Sequence, residues 1–158
     1  MNFAWPGRVV PTDVLKPGNV FLIPAKAQPV IALRCNEDDV CLALTAAKNL
    51  PVGSVVDIAS IWAKPVLRLD TPTLMPTVNA VPQIITHGPE DAAIGHVLQH
   101  TETARMFADY KGARVMVNVV TGEITPLPAN DVGAIYTHWS LVLKPESGPN
   151  QVLTTFGD

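Results

Sequence analysis

Fifteen prolines spread along a chain of 158 residues set the first limit on what this sequence can fold into. Each proline removes a backbone donor and fixes its own φ, so long uninterrupted helices are excluded from most of the chain. The segments between the prolines have the grammar of short strands. VFLIP, residues 20 to 24, is an apolar run bounded by Gly-Asn and by Pro, which suits a strand. PVIALRC and VCLALTA flank NEDD, a polar cluster with the Asn/Asp chemistry of a tight turn, and predict a hairpin. SVVDIASIW sets Val55, Asp57, Ala59 and Ile61 against Val56, Ile58, Ser60 and Trp62, the alternation of a half-buried strand. ARVMVNVV, Thr121-Gly122 and EITPL predict a second hairpin, and IYTHWSLVLKP reads as one closing strand. Strands punctuated this regularly predict a mainly β chain: one small barrel or sandwich domain over residues 1 to 158.

Two stretches depart from that pattern. Residues 65 to 89 are proline-dense and extended, either a surface connection or an arm that wraps a neighbouring subunit. The segment carries Leu74 and Met75 among many large apolar side chains, too much apolar surface to leave in water. Residues 89 to 109 are the one stretch that competes for a helix. Pro89 suits a first helical position, Glu90 and Asp91 suit the positive N-terminal end, and Gly112 suits a stop. Phe107 then falls on the wrong side of the helical wheel. The alternative is a strand with Ile94, His96, Leu98 and His100 on one face.

That choice decides the only metal motif. On a helix His96 and His100 lie one turn apart and could share an ion, with a third ligand from His87, His138 or a carboxylate. On a strand they are separated by roughly 13 Å and cannot. HVLQH lacks the glutamate that a zinc protease helix carries beside its first histidine, and the simpler reading is two solvent-facing imidazoles without a metal or other cofactor. Cys35 and Cys41 bracket the NEDD turn. They face one another only across a loop of odd length; a four-residue loop sets Cys35 opposite Val40, and both thiols then read as small buried apolar groups. Glu37, Asp38 and Asp39 lack the order and the distal glutamate of a calcium loop. No phosphate-cradling glycine loop and no GxSxG elbow is present.

Charge excludes further classes. A net charge of -3, with eleven basic residues scattered singly, gives no footprint for nucleic acid. No run approaches ~18 apolar residues, and MNFAWPGRVVP has no charged region followed by an apolar one, so neither a membrane span nor a secretion signal is expected. Charged residues make up 16% of the chain, where about 25% is typical. A surface so neutral is either covered by small polar groups or hidden against neighbours, and the second option implies assembly. Phe3, Trp5, Trp62, Trp139 and Phe156, with Leu74 and Met75, are the candidate contact residues, since such side chains anchor buried interface cores.

The fragments PGNVFLIP, AIGHVLQ and ARVMVNVVTGEITPLP, Val-rich strands in a low-charge, proline-rich chain, resemble the small β-rich head and capsid decoration proteins of tailed bacteriophages. The resemblance implies a non-enzymatic virion protein that binds copies of itself or a capsid lattice as a homo-oligomer, with no functional residue carried over by position. LKPGNVFLIP followed by a hairpin is also similar to the start of SH3-like barrels of the ribonuclease-toxin kind, a cytoplasmic alternative. That would call on Arg8, Arg34 or Arg68 beside a Ser or Thr for general acid-base chemistry. A third expectation is a metal-dependent enzyme built on His87 to Glu102.

Overall fold

The computed structural model describes residues 7–23, 29–37, 39–58, 65–77, 82–85, 92–127, 133–145 and 147–157, with residues 83–85 described by backbone alone. Nearly every regular element is a strand, and the strands form two sheets.

The larger sheet begins as a meander. β2 (Val20–Ile23), β3 (Val30–Arg34), β4 (Val40–Ala43) and β5 (Ser54–Asp57) pair consecutively and antiparallel. β6 (Val66–Leu69) returns beside β2, and β1 (Gly7–Val10) closes that edge outside β6. The far half is a second group: β9 (Val97–His100), β10 (Thr103–Tyr110), β11 (Ala113–Asn118) and β12 (Ile124–Pro126). β13 (Gly133–Tyr136) joins β9, and β8 (Gln83–Ile85) lies outside β13. One short parallel contact joins the two groups, Asp109 opposite Ser54 and Tyr110 opposite Val55. The smaller sheet is β7 (Pro72–Pro76), β14 (Trp139–Leu143) and β15 (Gln151–Phe156), with β14 in the middle. The large sheet is not closed into a barrel, since β1 and β8 are its two ends.

Burial explains why β3 and β4 read as continuous apolar runs. Leu33, Leu42 and Val55 point into the core shared with Trp139, Leu141 and Leu143 of the small sheet. Their neighbours Ala32, Cys41 and Phe21 fill a second cluster that includes Leu15 and Ile58. A strand covered on both faces has no polar side to display. The β3–β4 hairpin has the four-residue connection, so the Cys35 N–H donates to the Val40 carbonyl at 3.0 Å and Arg34 stands opposite Cys41. The two thiols enter different clusters, are not bonded, and are each pushed up to about 12 by burial. Of the NEDD residues, Asp38 lies outside the described residues. Asp39 and the Glu37 carbonyl are held by the Arg34 guanidinium at 3.5 and 3.1 Å.

Residues 89 to 109 do not form the helix that their boundary signals suggested. The described part from Ala92 onward is a turn followed by the β9–β10 hairpin, with Val97 opposite Met106 and His100 opposite Thr103. Met106, Phe107 and Ala108 are three successive residues with no exposed surface. One helical face cannot hide three neighbours, whereas a strand buried on both faces hides them all; Phe107 and Leu98 pack with Met116 and Ile135 in a third cluster. Gly112, read as a helix stop, is the second residue of a two-residue hairpin turn, with Lys111 at φ 54° and Gly112 at φ 79°. This is the arrangement of a type I′ connection.

IYTHWSLVLKP is likewise not one strand. It breaks at Thr137-His138, where the chain leaves β13 in the large sheet and enters β14 in the small one. Part of the proline-dense segment pairs within its own chain: β6 lies between β1 and β2, and β7 pairs with β14 along its whole length, while residues 78–81 and 86–89 lie outside the described residues. Pro72 and Pro76 bracket β7 on the edge of its sheet, where a missing N–H costs no ladder bond.

Candidate functional site

A groove of about 1230 Å³ opens where the large and small sheets meet, lined by residues of β5, the β10–β11 turn and the end of β15. Its position follows from how β10 divides one edge among three partners. Residues 103 to 106 pair with β9, Phe107 exchanges bonds with Gly95 and His96, and Asp109 donates to the Gly53 carbonyl at 2.9 Å. At that joint two backbone positions have no room for a side chain of their own. Gly53 has φ +88°, and a Cβ there would lie 2.5 Å from Ile94 Cγ2; Gly95 has φ +93°, and a Cβ there would lie 2.6 Å from Phe156 Cζ. Only glycine combines that conformation with that clearance.

Phe156 closes the end of the groove as part of a clasp between the sheets. Its ring stacks on Trp139 with centroids 5.3 Å apart at 16°. Trp139 Nε1 donates to the Gly95 carbonyl at 2.8 Å, and the His96 ring meets Phe156 edge-on at 6.3 Å and 72°. Turn residues 93 to 96 hold themselves together: the His96 N–H donates to the Ala93 carbonyl, and the Ala93 N–H donates to His96 Nδ1, both at 3.1 Å. Burial, then the fields of His138 and Arg114, hold the His96 imidazole below its ordinary value of 6.5.

Charged groups on the groove wall serve the fold. Asp109 Oδ1 accepts the Gly112 N–H at 3.0 Å and closes the β10–β11 turn. Lys111 Nζ sits 5.1 Å over the Tyr110 ring, a cation–π contact on the same turn. Thr45, Ser54, Thr154 and Thr155 also contribute to the lining, with the Thr155 hydroxyl turned toward that of Ser140 at 3.2 Å.

The residues singled out from sequence separate in space. His96 precedes β9 and His100 ends it, so the two cannot share an ion as the helical reading required. Among the described residues no group of three or more His, Cys, Asp or Glu is placed to hold a metal. His87, Glu90 and Asp91 lie outside the described residues, as do Phe3, Trp5 and Trp62. Trp139, expected as an interface anchor, is a core residue, and Leu74 and Phe156 are half-buried against that same core. Met75 stays exposed at 36%. Arg8 stands opposite Arg68 across β1 and β6, while Arg34 is engaged at the β3–β4 turn, so the three arginines form no common site. The groove itself was missed, because its walls come from segments far apart in sequence; Lys111-Gly112 was the one local signal for it.

No protein-family model, no curated protein and no solved structure matches the chain.

Proposed function

We propose that the chain is a non-enzymatic structural subunit that packs into a larger protein assembly, of the kind that decorates a virion head. The observation that carries this reading is the outer face of the small sheet. Register places Thr73 and Met75 of β7, Ser140 and Val142 of β14, and Val152 and Thr155 of β15 side by side on it. None of them is charged, and Val152 is 59% exposed. Their neighbours Leu74, Leu141 and Trp139 point the other way, into the core. The middle strand of this face is buried, with Ser140 at 8% and Val142 at 5%, so its exposed part is Met75 on one edge strand and Val152 and Thr155 on the other. An exposed patch without a charge is suited to meeting another protein.

The edges argue for contact by faces, not by strand addition. β7 carries prolines, β8 and β12 are three residues long, and β15 has a bulge opposite Leu141 and Val142. Those are the devices by which sheet edges avoid pairing with other chains. Among the described residues no helix is long and apolar enough to cross a membrane. Native mass spectrometry of the purified protein from low to high micromolar concentration tests the reading. Discrete multiples of the 16.9 kDa chain are expected, and a monomer at every concentration contradicts self-assembly.

A further inference from the structure

We infer that turn 93–96 and His96 form an acid-released clasp that fastens β15, and with it the end of the groove, to the large sheet. The geometry makes the imidazole a hydrogen-bond acceptor. His96 Nδ1 takes the Ala93 N–H, so a proton on Nδ1 would set donor against donor and break that bond. The turn it closes presents the Gly95 carbonyl to Trp139 Nε1 and the Gly95 Cα to the Phe156 ring. Loss of the turn therefore loosens both aromatic residues at once, and Phe156 is the last residue of β15.

The surroundings oppose a charge on that ring. Among the described residues, His138, at the crossing between the sheets, and Arg114, on β11, are the charged or titratable groups whose fields lower its affinity for a proton, and both are positive or become so in acid. The turn itself supplies Ala93, Ile94 and Gly95, β15 supplies Phe156, and the bond from β10 is from the Phe107 backbone, none of which carries a charge. Asp57, Asp109 and Lys111 line the adjoining groove. Acid therefore weakens the clasp while the two core clusters that do not include Trp139, which hold no titratable group except the Cys41 thiol, keep their packing.

Hydrogen exchange of the β15 amides, corrected for intrinsic rates, tests the clasp in the whole protein at pH 7.5 and pH 5.0. Protection over Val152 to Phe156 should fall at least tenfold in acid, while the β3–β4 amides stay protected. His96→Asn places Oδ1 where Nδ1 sits and does not titrate, so its β15 protection should be flat across that range, and the exposed His100→Gln control should behave as the original chain. Equal β15 protection at both pH values, or a His96→Asn variant that still responds to acid, overturns the inference. Should His96→Asn fail to fold, the ring resonances of His96 in the unaltered protein decide. A midpoint below 6.5 that coincides with the change in β15 supports the clasp, and a midpoint at or above 6.5 overturns it.

Discussion

Trp139 and Phe156 face each other across β14 and β15 as a register pair and stack at 5.3 Å, and this pair meets the turn that organises the groove through the Trp139 Nε1–Gly95 carbonyl bond and the close approach of Gly95 to the Phe156 ring. Phe156→Ala should cost about 2 kcal/mol, below the ~3–5 of a fully buried phenylalanine because the ring is only half-buried. Trp139→Phe keeps the stack but strands the Gly95 carbonyl, at about 1–2 kcal/mol. Urea unfolding measures both, and a change under about 0.5 kcal/mol in either contradicts the role of the clasp.

Gly95 and Gly112 share a positive φ but differ in space: a Cβ at Gly95 meets Phe156, and one at Gly112 meets nothing within 4 Å. Gly112→Ala should cost only the backbone strain, about 1 kcal/mol. Gly95→Ala should cost clearly more and shift the Phe156 ring resonances. Equal losses would show that the contact with Phe156 does not constrain the turn.

Burial pushes both thiols up to about 12 from an ordinary 9.0. The folded state therefore holds protons that the unfolded chain releases, and this contribution to stability is complete below pH 9 and is lost as pH rises toward 12. Neither thiol should react with a thiol-specific disulfide reagent at pH 8 until denaturant is added. Rapid labelling of the folded protein contradicts the buried placement.

Arg8 and Arg68 oppose each other on β1 and β6, and like charges directly opposite destabilise a pair of strands. Arg8→Glu should stabilise by about 0.5 kcal/mol at low ionic strength, with the gain fading as salt is added. A loss of stability would mean that Arg8 has a favourable role on that edge.

The hairpins were legible because their turns are local: Asn36 to Asp39 and Thr121-Gly122 carry the needed chemistry in a few residues, although the second turn begins earlier, after Asn118, and takes in Val119 and Val120. The consequence for Cys35 and Cys41 followed from loop length alone. The stretch from Ala92 to Tyr110 misled because a strand buried on both faces has no alternation to display, and its Pro, Glu and Gly signals fit a helix equally well. The crossing at Thr137-His138 leaves no trace in sequence, since the residues on either side continue an apolar alternation. The groove depends on a parallel contact between Ser54 and Asp109, a pairing that no local pattern announces. The neutral face of the small sheet was foreshadowed by composition, but Met75 and Val152 become neighbours of one surface only through β14.

Sedimentation velocity of the unaltered chain against Met75→Asp/Val152→Asp, with circular dichroism on both, tests the central claim that this uncharged face is the assembly contact. Both side chains are exposed, at 36% and 59%, so the substitutions should leave the spectrum and the thermal midpoint nearly unchanged. The account predicts oligomers for the unaltered protein and a shift of the variant to a smaller species at the same concentration. An unaltered chain that sediments as a monomer throughout, or a folded variant that keeps the same oligomer, contradicts it.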